Sequence, residues 1–173
     1  QAGVPVKYLC TLTNANMISI IAPKEKIKDV LALKGKTIAA LQSTGTYRMV
    51  RALVKEALKF DIEKDATIQN VDNAAAPVTL AIADRADAAL AWEPSVTTGL
   101  LKRPDLRVIL QADDLYKTIS AGLELPYIGV AVRQELLDAN PGIAKKISDV
   151  FRDCALGISA DTDKAIDLVG DKT

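Results

Sequence analysis

Short apolar, β-rich runs alternate along this chain with segments of helical periodicity, and that alternation limits the fold more than any other feature. Val6–Thr11 and Met17–Ala22 are the first two β-rich runs, separated by the turn-prone Asn14-Ala15-Asn16. Ile27–Leu33 reads as a short amphipathic turn or helix, stopped by Gly35. Lys36–Leu41 is an apolar strand and Gln42–Thr46 a tight loop. Tyr47–Phe60 then places Met49, Val50, Leu53, Ala57 and Leu58 on one helical face. Ala66–Val71 reads as a strand, and Asp72-Asn73 as the cap of a helix over Ala74–Ala83. Ala86–Ala91 is ambiguous: alanine favours helix, whereas Asp87 and the flanking elements suit a short buried strand. Pro94 opens a helix over Ser95–Leu101, Leu106–Leu110 is a strand, and Asp113–Gly122 reads as loop. Tyr127–Val132 is a further strand. Helices are expected over Gln134–Asp138, Gly142–Ile158 and Asp161–Val169. Strands separated by helices imply βαβ units, hence an α/β fold with a parallel-rich sheet flanked by helices.

Composition removes function classes. The 173 residues amount to one domain or two small lobes at roughly 100–200 residues per domain. Lys and Arg together number 22, as do Asp and Glu, so no basic excess points to nucleic acid. The chain has no histidine. That removes Ser-His-Asp and Cys-His nucleophile schemes, His general-base chemistry and His-ligated metal sites. Cys10 and Cys154 form neither a CxxC nor a metal-ligand spacing. Their apolar contexts favour two buried free thiols over a long-range disulfide. No run approaches the ~20 apolar residues of a membrane span, and no signal peptide is visible. The chain starts at Gln1, so a processed, trimmed or excised N-terminus is expected.

Three places carry possible binding chemistry. Ser43-Thr44-Gly45-Thr46 joins a buried strand to a helix N-terminus. First-turn N–H groups lack helical partners there, and the helix dipole favours an anion. The hydroxyls of Ser43, Thr44 and Thr46 add donors, and Gly45 permits close approach. The competing reading is an ordinary helix cap, and the run matches neither a Walker loop nor GxGxxG. Trp92-Glu93-Pro94 follows a short strand, at the end where ligands collect in open α/β sheets. Trp92 is either core filler or a pocket wall, and Glu93 either caps the next helix or faces a ligand. Tyr127 is either half-buried packing or a ligand contact, and Asn14 is either a turn residue or a ligand contact.

Three runs together resemble a known family. They are LKGKTIAALQSTGTYRMVRALVKEAL, NVDNAAAPVTLAIADRADAALAWEP and LPYIGVAVRQELLDANPGIAKKISDVF. In this order and spacing they are similar to extracytoplasmic substrate-binding proteins of ABC importers, in the nitrate, sulfonate, taurine and thiamine-precursor branch. Leu33-Lys34-Gly35-Lys36, Asn73-Ala74 with Leu80 and Ala86-Asp87-Ala88, and Trp92-Glu93-Pro94 carry the likeness. The inverted Asp72-Asn73, and Arg85-Ala86 in place of Gly-x, depart from the pattern.

The resemblance implies a type 2 periplasmic-binding-protein-like fold, with one complete lobe and part of a second. Lobe two is expected over residues 24–118, and residues 1–23 and 119–173 as returning parts of lobe one. Hinge strands are expected near Ile20–Pro23 and Glu124–Gly129. Such proteins usually have about twice this length, so the chain is a fragment, lacks its N-terminal part, or is a short relative. The implied function is capture of a small organic or oxyanionic solute by hinge closure and its delivery to a membrane permease, outside the cytoplasm. Ser43, Thr44, Gly45, Thr46, Trp92 and Glu93 are the implied ligand contacts of lobe two, with Tyr127 and Asn14 as further candidates. No catalytic residue, metal or cofactor is implied. Two alternatives share the fold: an enzyme of the thiamine-pyrimidine or menaquinone-pathway type, and the effector domain of a transcription regulator.

Overall fold

A computed structural model describes residues 3–170. Residues 1–2 and 171–173 of the expected returning lobe lie outside the described residues. The described elements run β1 (Val6–Asn14), β2 (Ile18–Pro23), β3 (Thr37–Ala40), α1 (Gly45–Leu58), α2 (Ile62–Asp65), β4 (Thr67–Asn70), α3 (Ala76–Ile82) and β5 (Ala88–Trp92). They continue through α4 (Ser95–Lys102), β6 (Leu106–Gln111), α5 (Ala112–Ile119), β7 (Pro126–Arg133), α6 (Gln134–Ala139), α7 (Ile143–Ala160) and α8 (Thr162–Val169). Short 3-10 turns occupy Ala15–Met17 and Leu31–Leu33.

The chain divides into two compact units, Asn14–Pro126 and the pair of segments Gln1–Thr13 and Tyr127–Thr173. The larger unit holds a five-stranded sheet in the order β4-β3-β5-β2-β6. β3 runs parallel to β4 and β5, whereas β2 runs antiparallel to β5 and β6. Four of the five strands therefore point the same way, and their carboxyl ends share one sheet edge. β2 is buried along its whole length and contains residues 20–23, which were expected near a hinge.

Burial, not local propensity, decides the alanine-rich run. β5 reads AALAW; Ala88 to Ala91 are all buried, with α3 and α4 packed on the face of Ala89 and Ala91. Ile21, Ala89, Ala91, Val78, Ala81, Val96 and Leu106 form the core on that face. Strand alternation turns Ile20 and Leu90 to the opposite face, where α1 packs against α5. Asp87 pins β5 to β3: its carboxylate accepts the Thr37 N–H at 2.8 Å, and its own N–H donates to the Thr37 carbonyl at 2.9 Å.

The segment expected as loop over Asp113–Gly122 is helical over Ala112–Ile119. Asp113 and Asp114 stand in the first turn, where the dipole favours acids, and Lys117 pairs with Asp113 one turn on. Tertiary packing on α1, β2 and the Ala15–Met17 turn completes the helix.

In the smaller unit β1 and β7 form a two-stranded sheet. Gly129 of β7 leaves room for the Tyr8 ring, which a side chain at that position would strike. Helices α6, α7 and α8 bury none of their residues fully. The expectation of two buried thiols fails here. Both cysteines are free; Cys10 is half-buried on β1 and Cys154 is exposed on α7, because no other element covers that helix face among the described residues.

Candidate functional site

The sheet edge at the carboxyl ends of β3, β4 and β5 gathers the loops expected to bind. Since β3, β4 and β5 are parallel, residues 41–46, 71–75 and 93–95 emerge on the same side of the larger unit. β2 starts at that edge, with Ile18 opposite Trp92, and β6 ends there, with Ser19 opposite Gln111. The Ala15–Met17 turn joins them: the Glu93 N–H donates to the Met17 carbonyl at 2.9 Å, and Gln111 Nε2 to the Asn16 carbonyl at 2.6 Å.

The Ser43–Thr46 loop delivers the N-terminus of α1 to this edge. Thr44 is the N-cap, with extended backbone, and its Oγ1 accepts the Tyr47 N–H at 3.2 Å while donating to the Leu41 carbonyl at 2.8 Å. The Thr44 hydroxyl thus serves its own helix, as the capping reading held. Ser43 and Gly45 are exposed, and Thr46 is buried. Anchoring from behind comes from Asn70, whose Oδ1 accepts the Gln42 N–H at 3.0 Å, and from the Val71 N–H, which donates to the Ala40 carbonyl at 3.1 Å.

Trp92 closes β5 half-buried. Glu93 is half-buried, and its Oε2 accepts the Thr97 N–H at 3.0 Å, so this carboxylate caps the first turn of α4. Asn14 Nδ2 donates to Glu124 Oε2 at 2.6 Å, linking the point where the chain enters the larger unit to the segment by which it leaves. Ser43, Thr44, Gly45, Thr46, Trp92, Glu93 and Asn14 all belong to the larger unit, whereas Tyr127 stands half-buried on β7 of the smaller one.

Two residues of this edge escaped the sequence reading as candidates, Gln42 and Asn70. Gln42 follows the carboxyl end of β3 and Asn70 closes β4, and a polar residue at the carboxyl end of a strand is the signal that marks them. Behind the loop, Tyr47 is buried and its hydroxyl donates to Glu63 Oε1 at 3.0 Å. Burial, reinforced by Glu63, pushes the Tyr47 phenol up to about 12. Arg51 pairs with both Glu63 and Asp61, and its hydrogen bond holds the Asp61 carboxyl below its ordinary range.

An open groove of about 610 Å³ lies elsewhere on the larger unit, lined by residues including Leu31, Leu58, Leu110 and Leu115. None of the expected site residues lines it. Among the described residues, no group of three or more Cys, Asp or Glu side chains is arranged to hold a metal ion. No described helix is long and apolar enough to cross a membrane.

Solved structures share this architecture. The periplasmic aliphatic sulphonate binding protein SsuA from Escherichia coli superposes with a TM-score of 0.77 at 18% identity, covering 98% of this chain and 55% of that one. SsuA from Xanthomonas axonopodis pv. citri, an alkanesulfonate-binding protein solved bound to MOPS, gives 0.68 at 17%, covering 96% and 54%. A periplasmic sulfonate-binding protein SsuA from Methylobacillus flagellatus KT gives 0.69 at 20%, covering 92% and 46%. The chain spans about half the length of these structures. The likeness shows the fold, that of type 2 periplasmic binding proteins. No curated protein matches the chain. The model of the NMT1/THI5-like family matches residues 1–165, nearly the whole of the sequence, and the chain belongs to that family.

Proposed function

We propose that this chain is the solute-binding component of an ABC import system, and that the unit Asn14–Pro126 is one lobe of its two-lobed clamp. The observation that carries the reading is the shared sheet edge. An exposed loop opening the α1 N-terminus and the half-buried Trp92 stand there together, in a family whose solved structural relatives include sulfonate binders. The first-turn N–H groups of α1 that the Thr44 cap does not take, together with the Ser43 hydroxyl, hold the oxyanion of a small sulfonate-like solute, each charge-assisted bond contributing about 1.5–3 kcal/mol. Trp92 supplies an apolar wall to the organic part of the solute. The two readings of Thr44 and Glu93 merge: both are caps that fix the loops which bind. Asn14 and Glu124 brace the point where the chain crosses into and out of the lobe. The remaining segments return to lobe one and carry the further candidate Tyr127. The protein binds and does not convert its solute, acts outside the cytoplasm, and hands its cargo to a membrane permease.

A titration with methanesulfonate and ethanesulfonate, followed by amide NMR, tests this reading. Shifts confined to the amides of residues 44–47, with a change in Trp92 fluorescence, are the expected result. Solutes that perturb Trp92 while no anion moves those amides would overturn the oxyanion assignment.

A further inference from the structure

The open groove of the larger unit, about 610 Å³, runs along a margin of the five-stranded sheet. β6 is the last strand in the order β4-β3-β5-β2-β6, and β2 is its one strand neighbour among the described residues. Val108, Ile109, Leu110 and Gln111 all line the groove. Val108 pairs with Ile21 and Leu110 with Ile20, and those two isoleucines point to opposite faces of the sheet. A groove lined from both faces passes the edge of the strand, where the backbone groups turned away from β2 stand. Leu31, Leu58 and Leu115 make the lining apolar. Val108 is 40% exposed and Leu31 53%, so this apolar surface is left to solvent. The charged residues of the lining are both acids, Asp29 and Asp114, and both are exposed. Two neighbouring cations are engaged with other groups: Lys117 Nζ pairs with Asp113 at 2.8 Å, and Arg107 Nη2 donates to the Lys28 carbonyl at 2.7 Å. A bulge at Ile109 interrupts the ladder between the Leu110–Ile20 and Val108–Ile21 pairs. Such a break keeps an edge from pairing indiscriminately, so recognition rests on the groove's side chains as well as on the edge.

We propose that β6 is a docking edge, on which an extended, basic segment of a partner protein adds as a further strand. Backbone hydrogen bonds to β6 supply the pairing. Apolar side chains of the segment meet Leu31, Leu58 and Leu115, and its Lys or Arg residues meet Asp29 and Asp114. None of the candidate solute contacts lines the groove, so this surface is separate from the proposed solute site and its test is independent of it.

Three synthetic peptides read it out on the whole chain by amide NMR at low salt. They are acetyl-VKVKV-amide, its glutamate counterpart acetyl-VEVEV-amide, and the lysine peptide N-methylated at every residue. The last keeps the side chains and loses the backbone donors. The lysine peptide is expected to shift the amides of residues 107–111 and to slow their hydrogen exchange. The glutamate peptide is expected to bind about 3- to 10-fold more weakly, the effect of two exposed charge pairs. The N-methylated peptide is expected to leave those amides unmoved. The double variant Asp29→Asn, Asp114→Asn keeps the Oδ1 acceptor that the Ala32 N–H uses at 3.0 Å, and is expected to bring the ratio of the two charged peptides to about one. A lysine peptide that leaves residues 107–111 unmoved, or that binds no better than its glutamate or N-methylated counterpart, overturns the proposal. Shifts of the same amides on raising the chain concentration without peptide, with a dimer in sedimentation, would assign the edge to a second copy of this chain and overturn it equally.

Discussion

The buried carboxylate of Asp113 accepts the Leu125 backbone N–H at 2.7 Å. This bond ties the first turn of α5 to the segment by which the chain leaves the larger unit. The Leu125 carbonyl in turn accepts the Ala15 N–H at 2.9 Å, and Lys117 Nζ reaches the second Asp113 oxygen at 2.8 Å. Asp113 thus joins α5 to Leu125, and Leu125 joins in turn to the Ala15–Met17 turn, in one hydrogen-bonded set.

Asp113→Ala removes an acceptor from the Leu125 N–H and the counter-ion from Lys117. A loss of about 2 kcal/mol follows from stranding these donors, a fall of about 4–8 °C in Tm for a chain of this size. Asp113→Asn keeps a carbonyl oxygen for Leu125 and is expected to lose less. Burial alone would raise the Asp113 carboxyl, but the Lys117 and Leu125 hydrogen bonds outweigh it and hold it below its ordinary value. A depressed folded pKa gives stability that is present above the unfolded value, about 3.9, and lost as pH falls through the folded one. Thermal melts across pH 2–7 check both points. Equal Tm values for wild type and Asp113→Ala at neutral pH would show that Leu125 is held by other means.

Tyr47 gives the opposite pH signature. Its phenol is raised by burial and by Glu63, so the fold favours the neutral form. That stabilisation is complete below the unfolded value near 10 and is lost as pH rises toward about 12. In absorbance titrations, the difference between wild type and Tyr47→Phe should show one phenolate transition centred near about 12. A transition at the ordinary tyrosine value would mean that the hydroxyl is open to water.

How much could be read from residue order depends on what stabilises each element. α1 followed from local periodicity because its buried residues recur at helical spacing, whereas β3 was legible as a short, continuously apolar run that the sheet buries. α5 did not, because its stability rests on Asp113 meeting Lys117 and the distant Leu125. The β5 strand was ambiguous for the same reason, since alanines become a strand only under α3 and α4. At the candidate site the loop and Trp92 were visible as strand-end residues, and capping was among the readings of Thr44 and Glu93; the Tyr47 and Thr97 N–H groups that they accept show both as caps.

Two glycines predict changes of opposite sign. A Cβ at Gly99 of α4 would stand 2.7 Å from Val78 Cγ1 and 3.2 Å from Ile21 Cδ1, in the core between α3, α4 and β2. Gly99→Ala should cost about 1–3 kcal/mol through overpacking, more than the ~1 kcal/mol of helix propensity it gains. A Cβ at Gly157 of α7 meets nothing within 4 Å, so Gly157→Ala should stabilise that helix by up to about 1 kcal/mol. Urea unfolding of both variants tests the pair. Stabilisation by Gly99→Ala would show that α4 can move away from α3 at little cost.

Thr44 couples the stability of α1 to anion binding. Its Oγ1 caps the helix through the Tyr47 N–H and fixes the loop through the Leu41 carbonyl. Thr44→Ala loses both bonds and should destabilise by about 1 kcal/mol, while Thr44→Ser keeps both and should stay within a few tenths. If the first-turn amides hold the oxyanion, the loosened loop of Thr44→Ala should also weaken methanesulfonate binding several-fold at temperatures where the variant is fully folded. Amide shifts at residues 45–47 under titration measure this directly. The Thr44→Ser variant separates the roles: it retains the cap, so any loss of binding it shows would place the Thr44 methyl, and not the hydroxyl, against the solute. Loss of stability in Thr44→Ala with undiminished methanesulfonate binding would instead confine Thr44 to the helix, and would move the anion contact to Ser43 and the backbone of Gly45.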